Sequence, residues 1–255
     1  MLHALLLLVA LAPLVDLFRP RTGGGRSGYA ALAKGSWLRF GLSSALLLVM
    51  TGQAGACVHL PAAFAPVQVL LGLDRLGPGN RWMLLGSAAI GVAVGIGAGL
   101  IVTAWRAWRG RPEGTLFGDA SQVRPRGLDE LRWAALVAVT AGVTEEAYFR
   151  LLLPLFTAQA TGSALAGFIG ATLLFGAAHR YQGWRGVLAT TVGGAALTFG
   201  YLATGSLLAM MAVHAMGDLG QLVLRPALRI AIERRRSSRP FVANWSAQTG
   251  SNPPP

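Results

Sequence analysis

Six ionisable side chains stand inside otherwise apolar stretches of the chain: Glu145, Glu146, Arg150, His179, His214 and Asp218. On insertion scales each costs about 2.5–3.5 kcal/mol at the centre of a bilayer, so each needs a polar partner or a task. In Thr144-Glu145-Glu146-Ala147-Tyr148-Phe149-Arg150, helical spacing puts Glu146 and Arg150 about 40° apart on one face, and Glu145 about 140° from Arg150. Glutamate four residues ahead of arginine is the favourable order for an ion pair. Glu146 is therefore expected to be neutralised by Arg150, while Glu145 points toward neighbouring helices. A desolvated carboxyl without such a partner is suited to general-base work near neutral pH. His179 closes the run Phe175-Gly176-Ala177-Ala178-His179, and His214 lies mid-run with Asp218 four residues on, on the same face.

Two chemistries are open to that set. Glu145 and His179 can polarise a water while His214 stabilises the oxyanion of a cleaved amide. Alternatively, Glu145, His179, His214 and Asp218 can ligate a divalent metal such as zinc. The chain has no H-E-x-x-H, G-x-S-x-G, Walker or dinucleotide-binding motif. One cysteine, Cys57, excludes a disulfide framework and a cysteine-based zinc site.

The elements that carry these residues must lie in lipid. Of 255 residues, 53% are apolar and 13% charged, with mean hydropathy +0.52; soluble domains carry about 25% charged residues. A helix rising 1.5 Å per residue needs about 20 apolar residues to cross the hydrocarbon layer. Runs of that kind fall near 2–18, 37–57, 82–104, 132–153, 162–178, 186–203 and 206–224. Ala62–Leu73, apolar but short, is the candidate for an eighth or re-entrant piece. The expected fold is an all-α polytopic transmembrane helix bundle of about seven to eight spans. Trp37, Trp82, Trp105, Trp108, Trp133 and Trp184 sit near run edges, where interfacial rings belong.

The net charge of +12 comes from 21 arginines and Lys34 set against ten acidic residues. The basic residues gather between apolar runs rather than on a nucleic-acid-binding face. Arg19, Arg21, Arg26, Lys34 and Arg39 mark the 19–39 connection as cytoplasmic, and Arg106, Arg109, Arg111, Arg124 and Arg126 mark 105–131 likewise. The expected placement is therefore a cell (inner) membrane, N-terminus outside and C-terminus cytoplasmic. Arginine over lysine, with abundant alanine and glycine, points to a GC-rich, bacterial genome. The organisation expected is N-terminal helices at 1–104, a cytoplasmic loop at 105–131, a catalytic bundle at 132–224 and a basic, then disordered, tail at 225–255. Gly91, Gly95 and Gly99 form a G-x-x-x-G-x-x-x-G face expected to pack closely against another helix.

Glu145-Glu146-x-x-x-Arg150, Phe175-x-x-x-His179 and His214-x-x-x-Asp218, in that order on separate runs, resemble the three-motif signature of the CAAX protease and bacteriocin-processing family. These are intramembrane endopeptidases that include the type II CAAX prenyl endopeptidases. The resemblance spans roughly residues 128–224. It implies that Glu145 activates water, that His179 helps hold it, that His214 and residue 218 form the oxyanion site, and that Glu146 and Arg150 support them. Position 218 is commonly Asn in the family, and an ionised carboxylate cannot donate as an amide does. Asp218 is thus protonated, or an acceptor orienting His214, or a metal ligand. The substrate implied is a membrane-anchored or lipidated protein or peptide. A proton-coupled transporter and a non-catalytic scaffold or immunity protein are the rival readings.

Overall fold

The computed structural model describes residues 1–18, 25–114 and 118–249, with side chains described outside 16–18, 26 and 238–249. Arg19, Arg21 and the Arg26 side chain, counted above as cytoplasmic charges, lie outside this set. Helices α1 (Leu2–Leu11), α2 (Gly25–Ser36), α3 (Leu42–Met50), α4 (Ala65–Leu70), α5 (Pro78–Trp108), α6 (Leu131–Glu146), α7 (Leu153–Thr161), α8 (Ala164–Ala178), α9 (Gly183–Thr204), α10 (Leu207–Leu219) and α11 (Arg225–Thr249) build an all-α bundle. No strand occurs among the described residues.

Three of these junctions are single π turns inside continuous rods: Trp37–Gly41 joins α2 to α3, Ala147–Leu152 joins α6 to α7, and Gly220–Leu224 joins α10 to α11. A π turn shifts the register of the face that follows and is often found at functional sites. Arg39 and Arg150 sit within two of them.

The bundle is turned inside out relative to a soluble protein. Ile90, Val94, Ile101, Leu173, Leu188 and Val192 face outward at more than half exposure, whereas Glu145, Glu146 and Arg150 are 7%, 0% and 1% exposed. Apolar side chains outside and charges inside suit hydrocarbon as the surrounding solvent. Among the described residues Pro78–Trp108, Arg180–Thr204 and Leu207–Ser237 are long and apolar enough to cross a membrane. Trp37, Trp82, Trp105, Trp108 and Trp184 are exposed.

Two connections use one device. Thr161-Gly162-Ser163 and Thr204-Gly205-Ser206 each place glycine at φ 77° or 71°, a left-handed turn that other residues rarely adopt. The serine then caps the next helix by accepting from Ala166 N or Ala209 N, both at 3.2 Å. These tight turns set α7 against α8 and α9 against α10.

The sequence expectations change at four places. Ala62–Leu73 holds a 3-10 turn and the six-residue α4, about 9 Å long and too short to cross; Phe64 and Val67 bury it in the core. The helix expected to begin near 37 begins at Gly25. The last helix runs to Thr249 through much of the stretch expected to lack structure, and 250–255 lie outside the described residues. The Gly91/Gly95/Gly99 face is not a helix contact: a Cβ at Gly91 or Gly95 would meet nothing within 4 Å, and one at Gly99 only the Arg225 side chain. Small residues that would permit close packing are equally comfortable facing lipid.

Close approach occurs instead at Gly142, where a Cβ would lie 2.8 Å from Ala215 N and Cβ. There α6 and α10 cross, one residue from His214. Gly142→Val should separate them and cost about 1–3 kcal/mol, read as a lowered thermal unfolding midpoint in detergent. Gly91→Val should leave that midpoint where it is.

Candidate active site

Glu146 is the centre of a buried polar network. Its Oε2 lies 3.1 Å from Arg150 Nε, and its Oε1 accepts from His214 Nδ1 at 2.7 Å. The expected i,i+4 pair is therefore present, and α10 supplies a second partner. His214 Nε2 faces Asp218 Oδ2 at 3.6 Å, so the imidazole stands between two carboxylates. The Arg150 guanidinium carbon lies 4.2 Å from the centre of the Phe175 ring, a desolvated cation–π contact. That ring also meets His179 at 4.9 Å and His214 at 5.8 Å between centroids. Phe40, Phe149 and Phe175 continue as a string of rings into the core.

Glu145, one residue earlier and about 100° round the helix, stays out of this network. With His179 and Asp218 it lines a cavity of about 80 Å³. A water needs about 10–15 Å³ by this measure, so several fit. His179 caps α8, and its Nδ1 contacts the Phe175 carbonyl at 2.9 Å. A carbonyl only accepts, so Nδ1 carries a proton, and in the neutral form of the ring the lone pair is on Nε2. α8 has only 15 residues, about 22 Å.

The site residues thus divide. Glu145, His179 and Asp218 share the cavity; His214 is not on its wall but stands behind it, tied to Glu146 and facing Asp218. Among the described residues no group of three or more His, Cys, Asp or Glu side chains is placed to hold a metal ion.

Three further polar residues line the cavity: Ser36, Arg39 and Tyr181. Ser36 Oγ and Thr144 Oγ1 are 2.7 Å apart; Thr144 donates to the Thr140 carbonyl, so Ser36 is the donor between them. Hydropathy alone puts Arg39 in a loop, whereas the helix leading to it starts at Gly25, twelve residues before the apolar run at 37. The one signal for it was an arginine three residues into that run. Val123, from the connection before α6, closes the wall, its carbonyl accepting from Tyr29 Oη at 3.1 Å. Nearby, Asp119 N donates to the Gln182 carbonyl at 2.9 Å. The Ser121 N–H that donates to Asp119 holds its carboxyl below the usual range.

Breaking a buried ion pair by removing one partner costs about 3–5 kcal/mol, because the other charge is stranded. Arg150→Met and Glu146→Ala should each lower the unfolding midpoint sharply, whereas the double variant should lose less than the sum of the two. Additive losses would mean the pair is not coupled.

Residues 127–220 match a family model described as Rce1-like, type II CAAX prenyl endopeptidase Rce1-like. No curated protein and no solved structure matches the chain. The matched segment starts before α6, ends just past α10 and holds all six charged or imidazole positions picked out by spacing. Residues 127–220 are thus similar to the Rce1-like type II CAAX prenyl endopeptidases.

Proposed function

We propose that the protein hydrolyses a peptide bond in a membrane-associated or lipidated protein or peptide, using a water activated by Glu145. The observation that carries this reading is the shared cavity: a buried carboxylate and an imidazole whose Nδ1 is engaged by a carbonyl line one space with room for water. Glu145 takes a proton from the water as its oxygen attacks the scissile carbonyl carbon. His179 Nε2 accepts a hydrogen bond from the water's other O–H, which stays on the attacking oxygen, and so aims the lone pair. As the tetrahedral intermediate collapses, the C–N bond breaks and the proton on Glu145 passes to the departing amine.

Glu146, Arg150 and His214 act from behind. By fixing α6 against α10, they set which way Glu145 faces. Asp218, between His214 and the cavity, places its Oδ2 3.6 Å from His214 Nε2 and so sets a carboxylate on the side of the imidazole away from Glu146. The water mechanism is favoured over zinc because the would-be ligands are split between cavity and network. The substrate reaches the site from the cytoplasmic side of a cell membrane, with the basic connection before α6 and the α11 arginines on that side.

The test is cleavage by the purified full chain in lipid nanodiscs of a library of quenched peptides, with and without a farnesylated cysteine. Wild type should cleave a subset at a rate unchanged by EDTA. Glu145→Gln should lower kcat by about 10²–10⁴-fold while the protein inserts and unfolds as wild type does. Cleavage by Glu145→Gln at the wild-type rate would end the mechanism, and EDTA-sensitive cleavage restored by zinc would replace it with a metal one.

A further inference from the structure

Amide hydrolysis by water puts negative charge on the carbonyl oxygen, and the site must aim a donor there before the charge develops. The side chains on α10 are badly placed to do so. Asp218, as a carboxylate, only accepts. His214 has Nδ1 committed to Glu146 and Nε2 facing Asp218, and it does not line the cavity.

Among the described residues on the cavity wall, Arg39 is the one permanent cation. It enters from the π turn Trp37–Gly41, opposite α6 and outside the segment 127–220. Its Nε donates to the Gly35 carbonyl at 3.0 Å, which folds the guanidinium back along α2. Glycine at 35 gives it room: a Cβ there would come within 2.9 Å of Nη2. A guanidinium offers five donors in a rigid fork and keeps its protons. It thus remains a donor in the cavity that it lines together with Glu145 and Asp218, where a neutralisable group would not.

We propose that Arg39 is the catalytic oxyanion-binding residue of this chain, donating to the scissile carbonyl oxygen as the Glu145-activated water adds. The inference rests on the peptidase reading. As the C–O bond forms, the carbonyl π pair moves to the oxygen facing Arg39. That pair returns to re-form the carbonyl when the C–N bond breaks, and Arg39 gives up no proton.

The experiment uses the full chain in nanodiscs and one farnesylated, quenched peptide that wild type cleaves. Arg39→Met should lower kcat about 10²–10³-fold, the usual loss for one oxyanion donor, with KM within about threefold. Asp218→Asn introduced into Arg39→Met should restore at least about tenfold of that, because an amide can donate where the carboxylate cannot. Should Arg39→Met fail to fold, Arg39→Lys serves: it keeps the charge without the fork and should lose about tenfold in kcat. Wild-type kcat in Arg39→Met, or in a folded Arg39→Lys where Met fails, overturns the proposal. So does a loss carried by KM alone that disappears on a C-terminally amidated probe, which would make Arg39 a reader of the peptide's own carboxylate. A wild type that cleaves none of the peptides fails the peptidase reading itself and takes Arg39 with it.

Discussion

A carboxylate with no exposure at all, in a chain surrounded by hydrocarbon, has to be neutralised by protein. Glu146 meets that demand with Arg150 on its own rod and His214 on α10. The first partner is local and the second ties two helices together. The Gly142–Ala215 crossing one turn earlier lets the backbones come close enough for a 2.7 Å bond. Phe175 then covers the Arg150 guanidinium and packs both histidines against one ring. Glu145 is placed by default: once Glu146 is fixed, the preceding residue must face the cavity.

The half of the chain before the matched segment belongs to the same construction. Leu32, Ala33, Ser36, Arg39 and Phe40 line the cavity from α2 and its π turn, and Tyr148 Oη donates to the Ala10 carbonyl in α1. Residues 127–220 hold the titratable chemistry, but one wall of the cavity comes from outside them. The second half of the sequence holds nearly all the polar residues inside apolar runs, but the cavity they line is not confined to that half.

What the sequence made legible was local. The Glu146–Arg150 pair follows from helical spacing alone, and buried charge inside apolar runs marks the polar centre. The Glu146–His214 bond spans 68 residues, and no periodicity reports a contact of that kind. Arg39 was hidden because apolar-run counting finds where hydrocarbon begins, not where a helix begins: α2 starts at Gly25 in a polar stretch. The Gly91/Gly95/Gly99 stripe misled for the opposite reason. Its composition fits both a tight helix contact and a lipid-facing surface, and only the neighbouring helices decide between them.

The most direct measurement of the central claim is an experimental density map of the protein in nanodiscs, fine enough to show ordered water. An ordered water within about 3.2 Å of both a Glu145 carboxylate oxygen and His179 Nε2, with His214 bonded to Glu146, is the expected result. Glu145 and His179 turned to separate surfaces, or a dry gap between them, would contradict the account.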